Sequence, residues 1–138
     1  MSGKEGTMFR VHKTKDGSVP PIEYLPAEAI TPKIGMLLEF DATSHQLQAS
    51  TTTAQYICMA EAGSAITAGT LIPVIAIDRD TIYETQLDGN TTLDLGQTCD
   101  IDATSLLADG DGTTNDDLLI VGMEGSSEGD NIYVKFVK

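Results

Sequence analysis

The chain contains no tryptophan, and its aromatic residues are limited to three phenylalanines and four tyrosines. A carbohydrate-binding module stacks sugars on exposed aromatic faces, so this scarcity counts against one. Basic residues are also few: 8 Lys and Arg face 21 Asp and Glu, for a net charge of −13. An acidic body repels phosphate backbones, which argues against DNA or RNA as a partner. No run approaches the ~18 apolar residues of a membrane span, and the N-terminus lacks a signal-peptide core. No membrane partner is expected, and synthesis and folding in a cytosol are. Cys58 and Cys99 are too far apart and too isolated for metal-ligand spacing. They read as reduced and at least partly buried.

Catalytic patterns are missing as well. His12 lies near the N-terminus, and His45 follows Ser44 in a turn. Adjacency in sequence does not make a dyad, because the geometry needs a third orienting group in a cleft. No G-x-S-x-G segment occurs, and no glycine-rich loop leads into a lysine. Asp109, Asp111, Asn115, Asp116 and Asp117 look like a calcium loop at first sight. Counted from Asp109, Thr114 and Ile120 stand where an EF-hand needs Gly and Glu, so that motif fails. Turn formation is the better reading, and a non-EF calcium site stays open. Asn90-Thr91-Thr92 fits a glycosylation sequon but reads as a turn. No enzyme activity, cofactor or metal is expected.

What is present is a pattern met twice. Gly35 to Phe40 runs into Asp41-Ala42-Thr43-Ser44, and Gly96 to Ile101 runs into Asp102-Ala103-Thr104-Ser105. Met59 to Ser64 answers Met123 to Ser126, and Gly69 to Val74 answers Gly129 to Val134. Two accounts fit: an internal duplication, or convergent turn chemistry in one irregular β domain. If duplicated, the units read as 31–87 and 92–138.

Residues 1–21 read as an extended basic N-terminal arm closed by Pro20-Pro21, whose fixed φ keeps the chain extended. Residues 1–15 sum to +3 and the remaining 123 to −16. Such an arm buries too little of itself to order alone and is expected to order on a neighbour. Residues 22–138 read as a single β domain. Ile22–Ile30 is an extended lead-in with room for a strand, interrupted by Pro26. Strands are expected at 36–40, 47–49, 55–60, 71–77, 81–87, 97–101, 118–123 and 131–137. The run 71–77 is apolar enough to be buried on both faces, but Pro73 needs an edge or a bulge. In 81–87, Ile82, Glu84 and Gln86 share one face, with Tyr83, Thr85 and Leu87 on the other. Glu84 is either one half of an ion pair or an exposed strand residue. No helix is expected beyond a turn near 59–63 or 104–108. The expected fold is mainly β, a single antiparallel β-barrel or β-tulip-like domain of eight to ten short strands.

The runs Pro32 to Leu38, Ile57 to Ala62 and Gly69 to Val74 resemble the decoration (cement) proteins of tailed-bacteriophage capsids. Ile72 to Ile75 with Ile82 to Thr85, and the ending Gly129 to Phe136, are similar to small proteins encoded near phage major capsid genes. The resemblance spans roughly residues 31–137. It implies a non-enzymatic virion protein on the capsid surface, partnered by the major capsid protein and stabilising the head lattice. It also implies a homo-oligomer, with a trimer favoured, although a doubled subunit would put three-fold assembly in doubt. Gripping the shell would fall to Lys4, Arg10, Lys13 and Lys15, with Val11, Val19 and Ile22 as apolar contacts. The alternatives are another virion component (head-fibre base or tail-tube protein) or a small β calcium- or carbohydrate-binding module.

Overall fold

The computed structural model describes residues 8–50, 53–102, 107–112 and 116–137. Its described elements are all strands. Five of them, β2 (Glu23–Ala27), β3 (Leu37–Phe40), β4 (Leu47–Ala49), β5 (Tyr56–Cys58) and β6 (Thr70–Ala76), close a barrel in the order β2-β4-β3-β5-β6. The other six are β1 (Arg10–Lys13), β7 (Ile82–Gln86), β8 (Thr98–Ile101), β9 (Ala108–Asp109), β10 (Leu118–Met123) and β11 (Asn131–Phe136). They form a sheet in the order β1-β7-β11-β10-β8-β9. Leu87 also bridges Ala108, which bends this second sheet back toward closure.

Each expected strand is present. The extended lead-in at 22–30 pairs as β2, and two further strands were not anticipated: β1, inside the segment read as an arm, and the two-residue β9. The 59–63 stretch is loop, and residues 103–106 lie outside the described set. Pairing is antiparallel except at closure, where Ala27 meets Leu47 in parallel, as Leu87 meets Ala108. Pro73 sits in a strand paired on both sides. Its carbonyl accepts from Met59 N at 2.9 Å, so its missing donor points past the end of β5, where no ladder bond needs it.

The pairings of the barrel recur in the second sheet at near-constant offsets. Cys58 faces Val74, and Ile120 faces Val134. Leu38 faces Tyr56, and Cys99 faces Leu118. Leu25 faces Ile72, and Thr85 faces Ile132. Glu39 faces Gln48, and Asp100 faces Asp109. The turns follow suit. Gly35 N donates to Cys58 O and Gly96 N to Ile120 O, with φ of 87° and 86°. The strand expected to close the first unit, 81–87, therefore opens the second sheet, in the place β2 takes in the barrel.

Barrel interior positions correspond too. Ala27, Leu38, Leu47, Cys58, Ile72 and Val74 are all buried. Their counterparts Leu87, Cys99, Ala108, Ile120, Ile132 and Val134 are buried as well. Sizes trade places: Ala27 against Leu47 becomes Leu87 against Ala108, and Leu38 with Cys58 becomes Cys99 with Ile120. A small barrel tolerates such exchanges because total volume is kept. Both cysteines are free and buried. Burial, with Asp100 and then Asp109 adding repulsion, pushes the Cys99 thiol up to about 12, and burial also raises that of Cys58.

The barrel and the second sheet share one core. Leu37, Ile57 and Ile75 lie on the outer face of the barrel and join Phe9, Tyr83, Leu118, Ile120, Val134 and Phe136. The run 71–77 is thus buried on both faces only at its middle: Ile72 and Val74 point into the barrel and Ile75 into this seam, while Leu71 on the outer face stays exposed, because the second sheet does not reach that end of β6. Phe9 and Phe136 ring centroids are 5.5 Å apart, and Tyr83 meets Phe136 edge-on at 5.2 Å.

The exchanged sizes give a direct test. Leu47→Ala alone should cost about 2–5 kcal/mol, and Ala27→Leu alone about 1–3 kcal/mol through overpacking. The double variant should recover most of that loss in urea unfolding, because the second sheet already uses the Leu-Ala arrangement. Strictly additive losses would contradict the correspondence.

Candidate partner-binding groove

β1 is an edge strand added to β7. Arg10 faces Glu84 and Val11 faces Tyr83, and a bulge follows before Lys13 reaches Ile82. Alternation explains its seat: Phe9 is buried and Val11 half-buried against the core, while Arg10 turns outward. Arg10 Nε donates to Glu84 Oε1 at 2.5 Å, and Glu84 is only 6% exposed. Glu84 is thus one half of an ion pair, the functional of its two expected readings. The His12 ring lies 4.4 Å from that of Tyr133. The Tyr133 hydroxyl donates to Glu124, which pushes the phenol up to about 12 by that hydrogen bond first, then by burial and the Glu124 charge.

After β1 the chain folds over itself. Thr14 Oγ1 donates to Ser18 O, Ser18 N and Oγ both donate to Asp16 Oδ1, and Gly17 takes φ 78°. The Ser18 hydroxyl and then its N–H hold the Asp16 carboxyl below its usual range. This turn brings Val19, Pro20 and Ile22 back beside β1. Between them and the barrel lies a cavity of about 550 Å³, closed on the far side by Ile34, Gly35, Ile57, Met59 and Ile75. Its rim is apolar and open to solvent: Val19 is 88% exposed, Ile22 54%, Ile34 46% and Met59 39%.

Gly35 forms the floor. Phe9 N donates to Gly35 O at 3.1 Å, and a Cβ on Gly35 would stand 2.6 Å from both Phe9 N and Phe9 O. Gly96, the matching glycine, has open space there. The contact with Phe9 therefore demands glycine at position 35 for a second reason besides φ.

Of the seven residues expected to grip a partner, five line this groove: Arg10, Val11, Lys13, Val19 and Ile22. Arg10 spends its charge on Glu84. Lys15 stands outside, 3.8 Å from Asp80 in an exposed pair that contributes little. Lys4 lies outside the described residues. Ile34 and Met59 were missed: Ile34 sits in a turn that carries no periodicity, and Met59 falls in the run expected as strand 55–60, whereas β5 ends at Cys58.

The other candidates resolve into turns. Ser44 Oγ donates to Glu28 Oε2 at 2.6 Å rather than to His45, which takes φ 57°. In the acidic loop Asp111 N donates to Asp109 Oδ1, Asp116 N to Asp100 Oδ1, and Thr98 Oγ1 to Asp116 Oδ1. Among the described residues no group of three His, Cys, Asp or Glu is placed to hold a metal; Asn115 lies outside them. No helix of the described residues is long and apolar enough to cross a membrane. Comparison with family models, with curated proteins and with solved structures finds no match to this chain.

Gly35→Ala and Gly96→Ala isolate the groove floor. Both should lose about 1–2 kcal/mol to positive φ. Gly35→Ala should lose about 1–3 kcal/mol more, by overpacking against the Phe9 backbone. Equal losses in denaturant melts would remove the Phe9 contact from the account.

Proposed function

We propose that this chain is a structural virion protein that binds the outer surface of a phage capsid and stabilises the head lattice. The observation that carries the reading is the groove: an open apolar rim beside a cationic strand, on a chain with net charge −13. A soluble chain seldom exposes clustered aliphatic residues without a partner to cover them. Lys13 on the rim, and Lys4 in the segment before it, add attraction for an acidic subunit surface. The major capsid protein is the partner, the capsid surface the location, and the working form a homo-oligomer.

The recurring registers support reading the chain as two tandem copies of one five-strand unit, spanning 23–76 and 82–136. A doubled subunit offers two related faces to a lattice. Many weak contacts, repeated over a shell, then add as avidity. The binding of each copy can stay modest while the decorated lattice holds firmly.

Co-sedimentation with expanded, undecorated heads tests the reading. Saturable binding at a fixed ratio to capsid subunits is expected. Val19→Asp with Ile22→Asp should weaken it by at least about tenfold while leaving the melting temperature unchanged, since both side chains are exposed. Failure of the unaltered protein to bind heads would overturn the reading.

A further inference from the structure

The two related units differ at one edge. β7 pairs with β11 on one side and carries β1 on the other. β2, its counterpart, pairs with β6 along its length but touches β4 only at Ala27. No described strand covers the outer edge of β2 at Ile22 and Tyr24.

That edge has free main-chain groups. Tyr24 stands opposite Pro73, whose carbonyl turns toward Met59 and away from β2. In an antiparallel ladder, facing residues of a non-hydrogen-bonded pair both direct N–H and C=O outward. Tyr24 therefore aims its N–H and C=O at solvent, as Glu84 aims its own at β1. Two outward groups in line are a template for another strand.

Side chains at the edge differ in kind from those under β1. Beneath β1 lie Glu84, bonded to Arg10, and Tyr133, stacked on His12. The matching positions in the barrel are Tyr24 and Pro73, beside Leu71. Tyr24 is 64% exposed and Leu71 60%. Ile22 belongs both to this edge and to the groove, so the two form one surface. On the other side of β2, Glu23 is exposed and takes the place of buried Tyr83.

We propose that the outer edge of β2 is a strand-acceptor site for an extended segment of a partner protein, running antiparallel to β2, with apolar residues opposite Tyr24 and Ile22 and a basic residue opposite Glu23. The register is that of β1 on β7, and the chemistry is set by Tyr24, Ile22 and the charge of Glu23. Main-chain bonds supply the attachment, and alternate side chains choose the segment. Naming a capsid subunit as the source of that segment rests on the function proposed above; the acceptor edge itself does not.

The blocked peptide acetyl-Thr-Val-Lys-Val-Thr-amide, titrated into isotope-labelled full-length chain, probes the edge. Saturable shifts at residues 22–26 and 70–74, with slowed exchange of the Tyr24 amide, are expected. Replacing the peptide's lysine by glutamate should weaken binding about tenfold through repulsion by Glu23. Tyr24→Pro deletes the outward N–H and spares the bonds to β6, so it should also lose about tenfold, while Tyr24→Val keeps binding. Absence of shifts, or equal binding by Tyr24→Pro of unchanged melting temperature, overturns the acceptor edge. Head co-sedimentation separates the two readings. If Tyr24→Pro binds heads as well as the unaltered chain does, the capsid role stands and a capsid subunit falls as the source of the edge's segment. If the peptide binds but heads do not, the edge stands and the capsid source falls. Self-association abolished by Tyr24→Pro would reassign the edge to a second copy and overturn the partner proposed here.

Discussion

The seam between the barrel and the second sheet is the contact on which the rest depends. A five-strand barrel of this size encloses only a handful of side chains, Ala27, Leu38, Leu47, Cys58, Ile72 and Val74 at its centre. Small units of that kind bury too little apolar surface to offset chain entropy alone. Leu37, Ile57 and Ile75 solve the problem by facing outward into the core of the second sheet. Phe9 then fills the same seam from the N-terminal side, packed on Phe136 and bonded to Gly35. The seam thus fixes the two units to each other. It also sets β1 against β7, and so creates the groove beside it.

Much of the strand plan was legible in the sequence, because it rests on local rules. Period-two alternation marked 81–87 and glycine punctuation marked the hairpins. What was not legible was long-range. β1 alternates as Phe9 and Val11 against Arg10 and His12, but its positive charge and polar surroundings make it read as an arm. β9 is two residues long and gains its place through distant partners, Asp100 and Ile101 on one side and Leu87 on the other. Parallel closure at Ala27 and Leu47 has no local signature at all.

The correspondence between the units illustrates the same limit. It shows in the turns, where Gly35 and Gly96, and Gly69 and Gly129, share positive φ that other residues reach only with strain. It is hidden in the cores, where Ala27 and Leu47 of the barrel exchange sizes with Leu87 and Ala108 of the second sheet. Packing constrains the summed volume, whereas backbone conformation constrains the residue itself. Similarity is therefore plainest at turns. The groove followed the same division: Val11, Val19 and Ile22 entered as contacts that the family resemblance implies, while Ile34 and Met59 joined them only through the fold.

The seam makes a claim about cooperativity that native-state hydrogen exchange tests most directly. The amides of Ile57 and Val74 in the barrel and of Ile120 and Val134 in the second sheet should exchange through one opening, with one free energy and one denaturant slope. Barrel amides that open at a lower free energy, while those of the second sheet stay protected, would contradict a shared core and leave two independently stable units.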